Sequence, residues 1–275
     1  MSDEHYETIR PFIYRNWSIH NDVMHIVTSR QGGVSEEPYH SLNLGFHVGD
    51  DTDAVLENRM RVCRAVGVDP GALTTAEQVH GSYVAVVGKT DRGRGAQGAA
   101  NRLPKTDAMV TNTPNIPLMV LVADCAVIGL YDPIRKAIGV AHAGWRGTAA
   151  GVARRAVEKM KEVFGSNPAD LIAGISPSIG PCCYEVGDGV CRAFQGAFPE
   201  TVERFFTKSK KGKAHLNLWE ANKWQLEEAG LKRADIEAAE LCTACHTDLF
   251  FSHRAENGKT GRFGGLMMLR GSQRR

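Results

Sequence analysis

Apolar residues along this chain fall into short unbroken runs and into stripes of helical period. The longest runs lie near Ile116–Ala123 and Ala137–Ala143, and both are strand-sized. They predict strands over Leu118–Ala123 and Ala137–Ala141. Shorter strands are expected at Tyr83–Val87, Ala108–Thr111 and Leu171–Ile175, whereas Val127–Tyr131 fits a strand or a helix. Stripes of period 3.6 predict helices over Asp53–Val66, Thr148–Phe164, Asp188–Phe198 and Leu218–Ala229. Gly67, Gly165 and Gly230 stand just past three of them, where glycine ends a helix in the left-handed conformation. The first fifty residues are rich in turn formers, a polar loop runs to about Thr106, and Lys208–Lys213 reads as an exposed loop. No repeat or linker interrupts this order. The expectation is one α/β domain of the α+β type over residues 1–275, with a mixed, layered sheet.

Composition narrows the function classes. The 33 basic against 31 acidic residues argue against a nucleic-acid binder working through bulk charge. The start MSDEHYETIRPFIYRNW has neither a basic leader nor an apolar segment, and no stretch is long and apolar enough to span a membrane. A cytoplasmic protein with reduced thiols and no membrane partner is expected. The odd count of seven cysteines argues against a fully paired disulfide framework.

Two familiar motifs fail in context. Gly93-Arg94-Gly95-Ala96-Gln97-Gly98 matches a dinucleotide fingerprint, but no strand feeds it and no helix leaves it. Cys242-Thr243-Ala244-Cys245-His246 matches a haem-attachment pattern that requires export. No second C-x-x-C accompanies it, and Cys182-Cys183 has no partner motif, so these cysteines are expected to be small buried apolar residues.

Three segments place reactive side chains at strand ends, where α/β folds build their sites: Gln78-Val79-His80-Gly81, Ala123-Asp124-Cys125 and His142-Ala143-Gly144-Trp145-Arg146-Gly147. In the third, Gly144 and Gly147 allow close backbone approach, a helix beginning near Thr148 points its N-terminus at the loop, and Arg146 offers a fork for an anion. On the first helix, Arg59 falls inside the apolar stripe, so it is either ion-paired or faces an anionic substrate such as phosphate. His80, Cys125 and His142 would make a His2Cys zinc site with an open fourth position if they met; spacing alone does not show that they meet, and a lone histidine near a strand is more often a satisfied core residue.

These blocks, with Ser41-Leu42-Asn43-Leu44-Gly45, Glu57-Asn58-Arg59, Thr106-Asp107-Ala108, Ile179-Gly180-Pro181-Cys182-Cys183-Tyr184-Glu185-Val186 and Thr260-Gly261-Arg262, closely resemble the laccase-domain family, the multicopper polyphenol oxidase-like or YfiH/YlmD-type proteins. The resemblance runs nearly the full length. It implies a layered fold similar to the cytotoxic necrotizing factor catalytic domain, and one zinc on His80, Cys125 and His142. It further implies phosphorolysis of adenosine, inosine and S-methyl-5'-thioadenosine, together with adenosine deamination. Purine nucleosides and phosphate would be the partners of a monomer or small homo-oligomer.

On that reading Cys125, His142 and Asp124 are the catalytic candidates, and Arg59, Arg146 and Asn43 the substrate or phosphate contacts. Trp145 would stack on the base or simply be buried. Cu2+ can compete for the same ligands. Laccase chemistry itself is not expected, because none of the ten histidines forms the His-x-His pairs of a multicopper cluster. The alternative enzyme is a cysteine hydrolase with a Cys125–His142 dyad. A non-enzymatic binding role finds no supporting charge block or heptad.

Overall fold

The computed structural model describes residue 9 and residues 11–208 and 212–271. In chain order the elements are β1 (Val23–Val27), α1 (Thr52–Ala65), β2 (Thr74–Thr75), β3 (Val84–Val86), β4 (Ala108–Thr111), β5 (Leu118–Val122), β6 (Ala126–Asp132) and β7 (Ala137–Ala143). Then come α2 (Trp145–Ala149), α3 (Val152–Phe164), β8 (Ile172–Ile175), α4 (Asp188–Ala197), β9 (Phe206–Lys208), β10 (Ala214–Leu216), α5 (Leu218–Glu228), β11 (Ile236–Ala238) and β12 (Phe263–Leu269).

Two mixed sheets dominate. The larger has the order β11-β8-β6-β7-β4-β3, the smaller β1-β12-β5-β2. In each, an inner antiparallel ladder carries parallel strands at the edge. Side chains alternate across the sheets, as the pleat requires. Val127 and Tyr131 of β6 join Leu118, Val120 and Val122 of β5 between the two sheets. Ile128 and Leu130 turn the other way, onto α3, α4 and α5 through residues such as Ala156, Met160, Phe194 and Leu226. Met119 and Leu121 pack on α1 through Val62 and Cys63. The layers therefore run helix, sheet, sheet, helix, in agreement with the expected α/β class. No helix among the described residues is long and apolar enough to cross a membrane.

Several local expectations change. The run at Val127–Tyr131 is strand β6. The helix over Thr148–Phe164 is two helices, because Gly151 adopts φ 78° and breaks the ladder between α2 and α3. The helix at the third segment thus begins at Trp145 and has only five residues, which leaves little dipole to offer an anion. Strands β1, β11 and β12 and the β9–β10 hairpin were not anticipated. The β12 sequence, Phe-Gly-Gly-Leu-Met-Met-Leu, lacks the β-branched residues that mark a strand. Of the Lys208–Lys213 loop, Ser209, Lys210 and Lys211 lie outside the described residues, and Lys208 ends β9.

Glycines set the spacing of the two sheets. A Cβ on Gly265 of β12 would sit 2.6 Å from Val127 Cγ1, and one on Gly129 of β6 2.7 Å from Trp17 Cη2. A buried β-branched valine and a buried indole cannot yield easily at such contacts. Gly265→Ala is therefore expected to destabilise the protein by about 1–3 kcal/mol through overpacking. Urea unfolding checks this: an unchanged midpoint would show that the sheets can separate freely.

Candidate functional site

Strand register carries the three expected segments to one end of the intersheet space. In the β6–β7 ladder Val127 lies opposite His142 and Ala126 opposite Ala143, so Cys125 emerges beside Gly144. In the β4–β7 ladder Ala108 lies opposite Ala141, which brings Asp107 beside His142. β2 pairs with β5, and the Gln78 side chain extends that pairing by exchanging two hydrogen bonds with the Leu121 backbone. His80 then follows in a left-handed turn at φ 60°.

The result is a compact donor set. One ligand atom each from His80, Cys125 and His142 lies within 4.8 Å of the others. The two imidazole rings meet edge to face with centroids 4.7 Å apart. A Cβ on Gly144 would stand 2.7 Å from Cys125 Sγ and 3.2 Å from His80 Cδ2, so only glycine leaves the cradle open. Two imidazoles and a thiolate around such a space fit a metal ion with a further position open.

Asp107 organises this set, and its role was not anticipated. Its Oδ1 accepts from His142 Nδ1 at 2.8 Å and from the His80 backbone N–H at 2.9 Å. Its Oδ2 accepts from the Gly81 and Val79 N–H groups at 2.7 and 3.2 Å. With Nδ1 engaged, His142 is left with Nε2 for the site, the usual support of a metal-binding histidine. Burial alone would raise the Asp107 pKa, but the hydrogen bonds and the charge of His142 bring it below the usual carboxylate value. Burial also opposes ionisation of Cys125. His142 and, less strongly, His80 overcome that and hold the thiol down at about 6. His142 responds in the opposite sense, raised to about 9 against the desolvation of its charged form by Cys125 and Asp107.

The other expected residues divide. Arg146 lines the cleft, exposed, with its guanidinium 4.3 Å from the Trp145 ring centroid. Arg59 does not line it. It is buried, donates to the carbonyls of Leu44, Gly95 and Ala96, and stacks on Phe46. Neither expected partner, a carboxylate or a phosphate, is what holds it; backbone carbonyls satisfy a buried guanidinium equally well. Asn43 is likewise buried, and its Oδ1 accepts from the N–H groups of Gly45 and Arg262, so it supports Arg262 from behind. Asp124 borders the cleft, but its oxygens accept from the Thr243 hydroxyl and the Arg254 N–H, both at 2.6 Å. These contacts tie it to the loops beside Cys125. The four cysteines expected to be buried apolar fillers instead cluster, with Cys182 and Cys245 exposed.

The cleft has a volume of about 670 Å³, the size of a small-molecule site. Besides Arg146, it is lined by Arg102, Arg254 and Arg262, and by His47, Tyr184 and His253. Partial burial, then the guanidinium groups of Arg262 and Arg102, press His47 down to about 4, so it is neutral near pH 7. Arg262 and Tyr184 stand in blocks that carried the family resemblance, but nothing local distinguished them from surface residues.

The signature of a family described as multi-copper polyphenol oxidoreductase laccase matches residues 24–270. The chain belongs to that family. Among laccase-domain relatives, it is 39% identical over 236 residues to a Geobacillus stearothermophilus protein named purine nucleoside phosphorylase YlmD, covering 86% of each chain. It is 35% identical over 235 residues to a protein from an unknown prokaryotic organism named adenosine deaminase RL5, covering 86% of this chain and 89% of that one. A crystal structure of the Bacillus licheniformis hypothetical protein YfiH superposes with a TM-score of 0.91 at 38% identity, covering 96% of this chain and all of that one. Among the described residues, His80, Cys125 and His142 form the sole clustered donor set that contains histidine, fewer ligands than the several coppers of the family's name require.

Two outcomes are expected of this geometry. Asp107→Asn keeps the size of the side chain but replaces an acceptor oxygen with a donor, and metal affinity should fall roughly 10–100-fold; competitive chelator titration measures it, and unchanged affinity would remove Asp107 from the site. In metal-free protein, alkylation of Cys125 should rise through a midpoint near pH 6, since a lowered pKa makes thiolate available above that value. Peptide mass mapping across pH reads this, and a midpoint near that of an ordinary thiol would contradict it.

Proposed function

We propose that the chain is a zinc-dependent purine nucleoside phosphorylase acting on adenosine, inosine and S-methyl-5'-thioadenosine, with adenosine deaminase activity. The supporting observation is the Asp107-anchored His2Cys set at the base of a cleft lined by four arginines. Zinc bound there would supply a Lewis acid. His80, Cys125 and His142 would hold it.

The chain's own residues account for binding. Arg102, Arg146 and Arg262 line the cleft and make it attractive to phosphate, replacing the Arg59 and Asn43 contacts expected from sequence. Trp145 and Tyr184 supply flat surfaces on which a purine can stack. Phosphorolysis breaks the bond between base and ribose C1′ as a phosphate oxygen forms the new bond there. The departing base takes up electrons and a proton, and the positive lining favours both anionic participants.

A second reading rests on a specific observation. Without metal, Asp107, His142 and Cys125 have the order of a hydrolytic triad, with a carboxylate orienting the base and the base paired to a low-pKa thiol. The two readings differ at His80, which a triad does not need. His80→Ala should lower conversion of inosine and phosphate to hypoxanthine and ribose 1-phosphate on the order of 100-fold or more, with loss of the zinc. A zinc-loaded wild-type protein that releases no ribose 1-phosphate would refute the phosphorylase reading. Amide or ester hydrolysis that persists in a metal-free His80→Ala protein and is lost in Cys125→Ser would favour the triad.

A further inference from the structure

Away from the His2Cys set, Cys182, Cys183, Cys242 and Cys245 gather their four sulfurs within 4.8 Å of one another. Two turns present them. In the first, the Gly180 carbonyl accepts from the N–H groups of Cys183 and Tyr184. In the second, the Cys242 carbonyl accepts from those of Cys245 and His246, the tight turn that a C-x-x-C segment forms. A backbone bridge joins them: Ser178 N–H donates to Leu241 O, and Thr243 N–H to Ser178 O. The backbone alone therefore brings together two cysteine pairs nearly sixty residues apart.

We propose that these four cysteines form a second, closed metal site that takes one zinc ion as a structural staple. The spacing supports a single ion. Cys245 Sγ lies 3.6 Å from Cys182 Sγ and 3.4 Å from Cys183 Sγ. Four sulfurs placed tetrahedrally at about 2.3 Å from zinc are about 3.8 Å apart. A disulfide needs about 2.05 Å and would use only two of the four. The number and kind of donors match a structural zinc site, with no position left for water. As each Zn–S bond forms, the thiol releases its proton to solvent, so the ion and four thiolates carry a net charge of −2. The surroundings offset this: Gly180 N–H donates to Cys242 Sγ at 3.2 Å, and the Arg254 guanidinium donates to the carbonyls of Cys183 and Glu185.

The staple would act on the cleft without entering it. Ile179 and Tyr184 of the first turn line the cleft, and Thr243 of the second holds Asp124, the neighbour of Cys125. Clasping the two turns fixes one wall of the active site.

The test uses the full chain, loaded with zinc under reductant and then desalted. Elemental analysis should find two zinc ions per wild-type chain and one in Cys182→Ser/Cys245→Ser. His80→Ala/His142→Ala should also retain one, so failure of the cleft site and failure of this one are told apart. Because Cys182 and Cys245 are exposed, their loss should leave the folded core intact, which circular dichroism verifies. Cobalt(II) gives an independent readout: the intense absorption of a tetrathiolate ion should survive in the histidine variant and vanish in the cysteine variant. A wild-type chain with one zinc that depends only on His80 and His142 overturns the proposal. So does a cobalt spectrum indifferent to the cysteine substitutions, or a Cys245 disulfide in place of metal uptake.

Discussion

A carboxylate with no exposed surface depends wholly on its partners, and Asp107 has four: His142 Nδ1 and the N–H groups of Val79, His80 and Gly81. A buried charge left short of such partners would cost several kcal/mol. Asp107 is thus a constraint as much as a contact. It can be buried only if the 79–81 turn closes around it and β7 brings His142 alongside. Meeting those demands places His80 and His142 next to each other. The backbone bond from His142 N–H to Asp107 O ties the two strands at the same point. The pairing of two histidine donors follows from satisfying one anion.

The same economy governs the cysteine. Cys125 lies where the chain passes from the smaller sheet to the larger, between β5 and β6. Asp124 secures that crossing: at φ 85° its backbone carbonyl accepts from Ile179 N–H while its carboxylate gathers Thr243 and Arg254. Three loops distant in sequence converge on the residue before the thiol. The lowered Cys125 pKa reflects this placement, since the local sequence holds no nearby cation.

Charged residues in the apolar pattern proved ambiguous. Arg59 interrupts the apolar stripe of α1, and a buried guanidinium there demands a partner. The partner is a set of loop carbonyls, so Arg59 locks the 44–46 and 95–96 segments together instead of meeting a ligand. The cationic lining of the cleft comes mainly from loop arginines, Arg102, Arg254 and Arg262, whose local sequence looks like ordinary surface.

The periodicity by itself determined the class of fold, the buried strands β5 and β7, and helices α1, α4 and α5, because apolar spacing is a local signal that burial reads directly. It also singled out His80, Cys125 and His142 as reactive residues at strand ends. Tertiary structure decided what those residues are to one another. Strand register made neighbours of positions 80, 125 and 142, and a backbone bridge brought Cys182-Cys183 to Cys242 and Cys245, a meeting that spacing had argued against. Gly151 split a helix that periodicity ran together, and β12 took shape without β-branched residues because it completes the ladder between β1 and β5. The reason is common to all of these: a hydrophobic period is written within a few residues, but a hydrogen bond, a metal donor set or a sheet edge needs two segments, and only the folded chain selects the second.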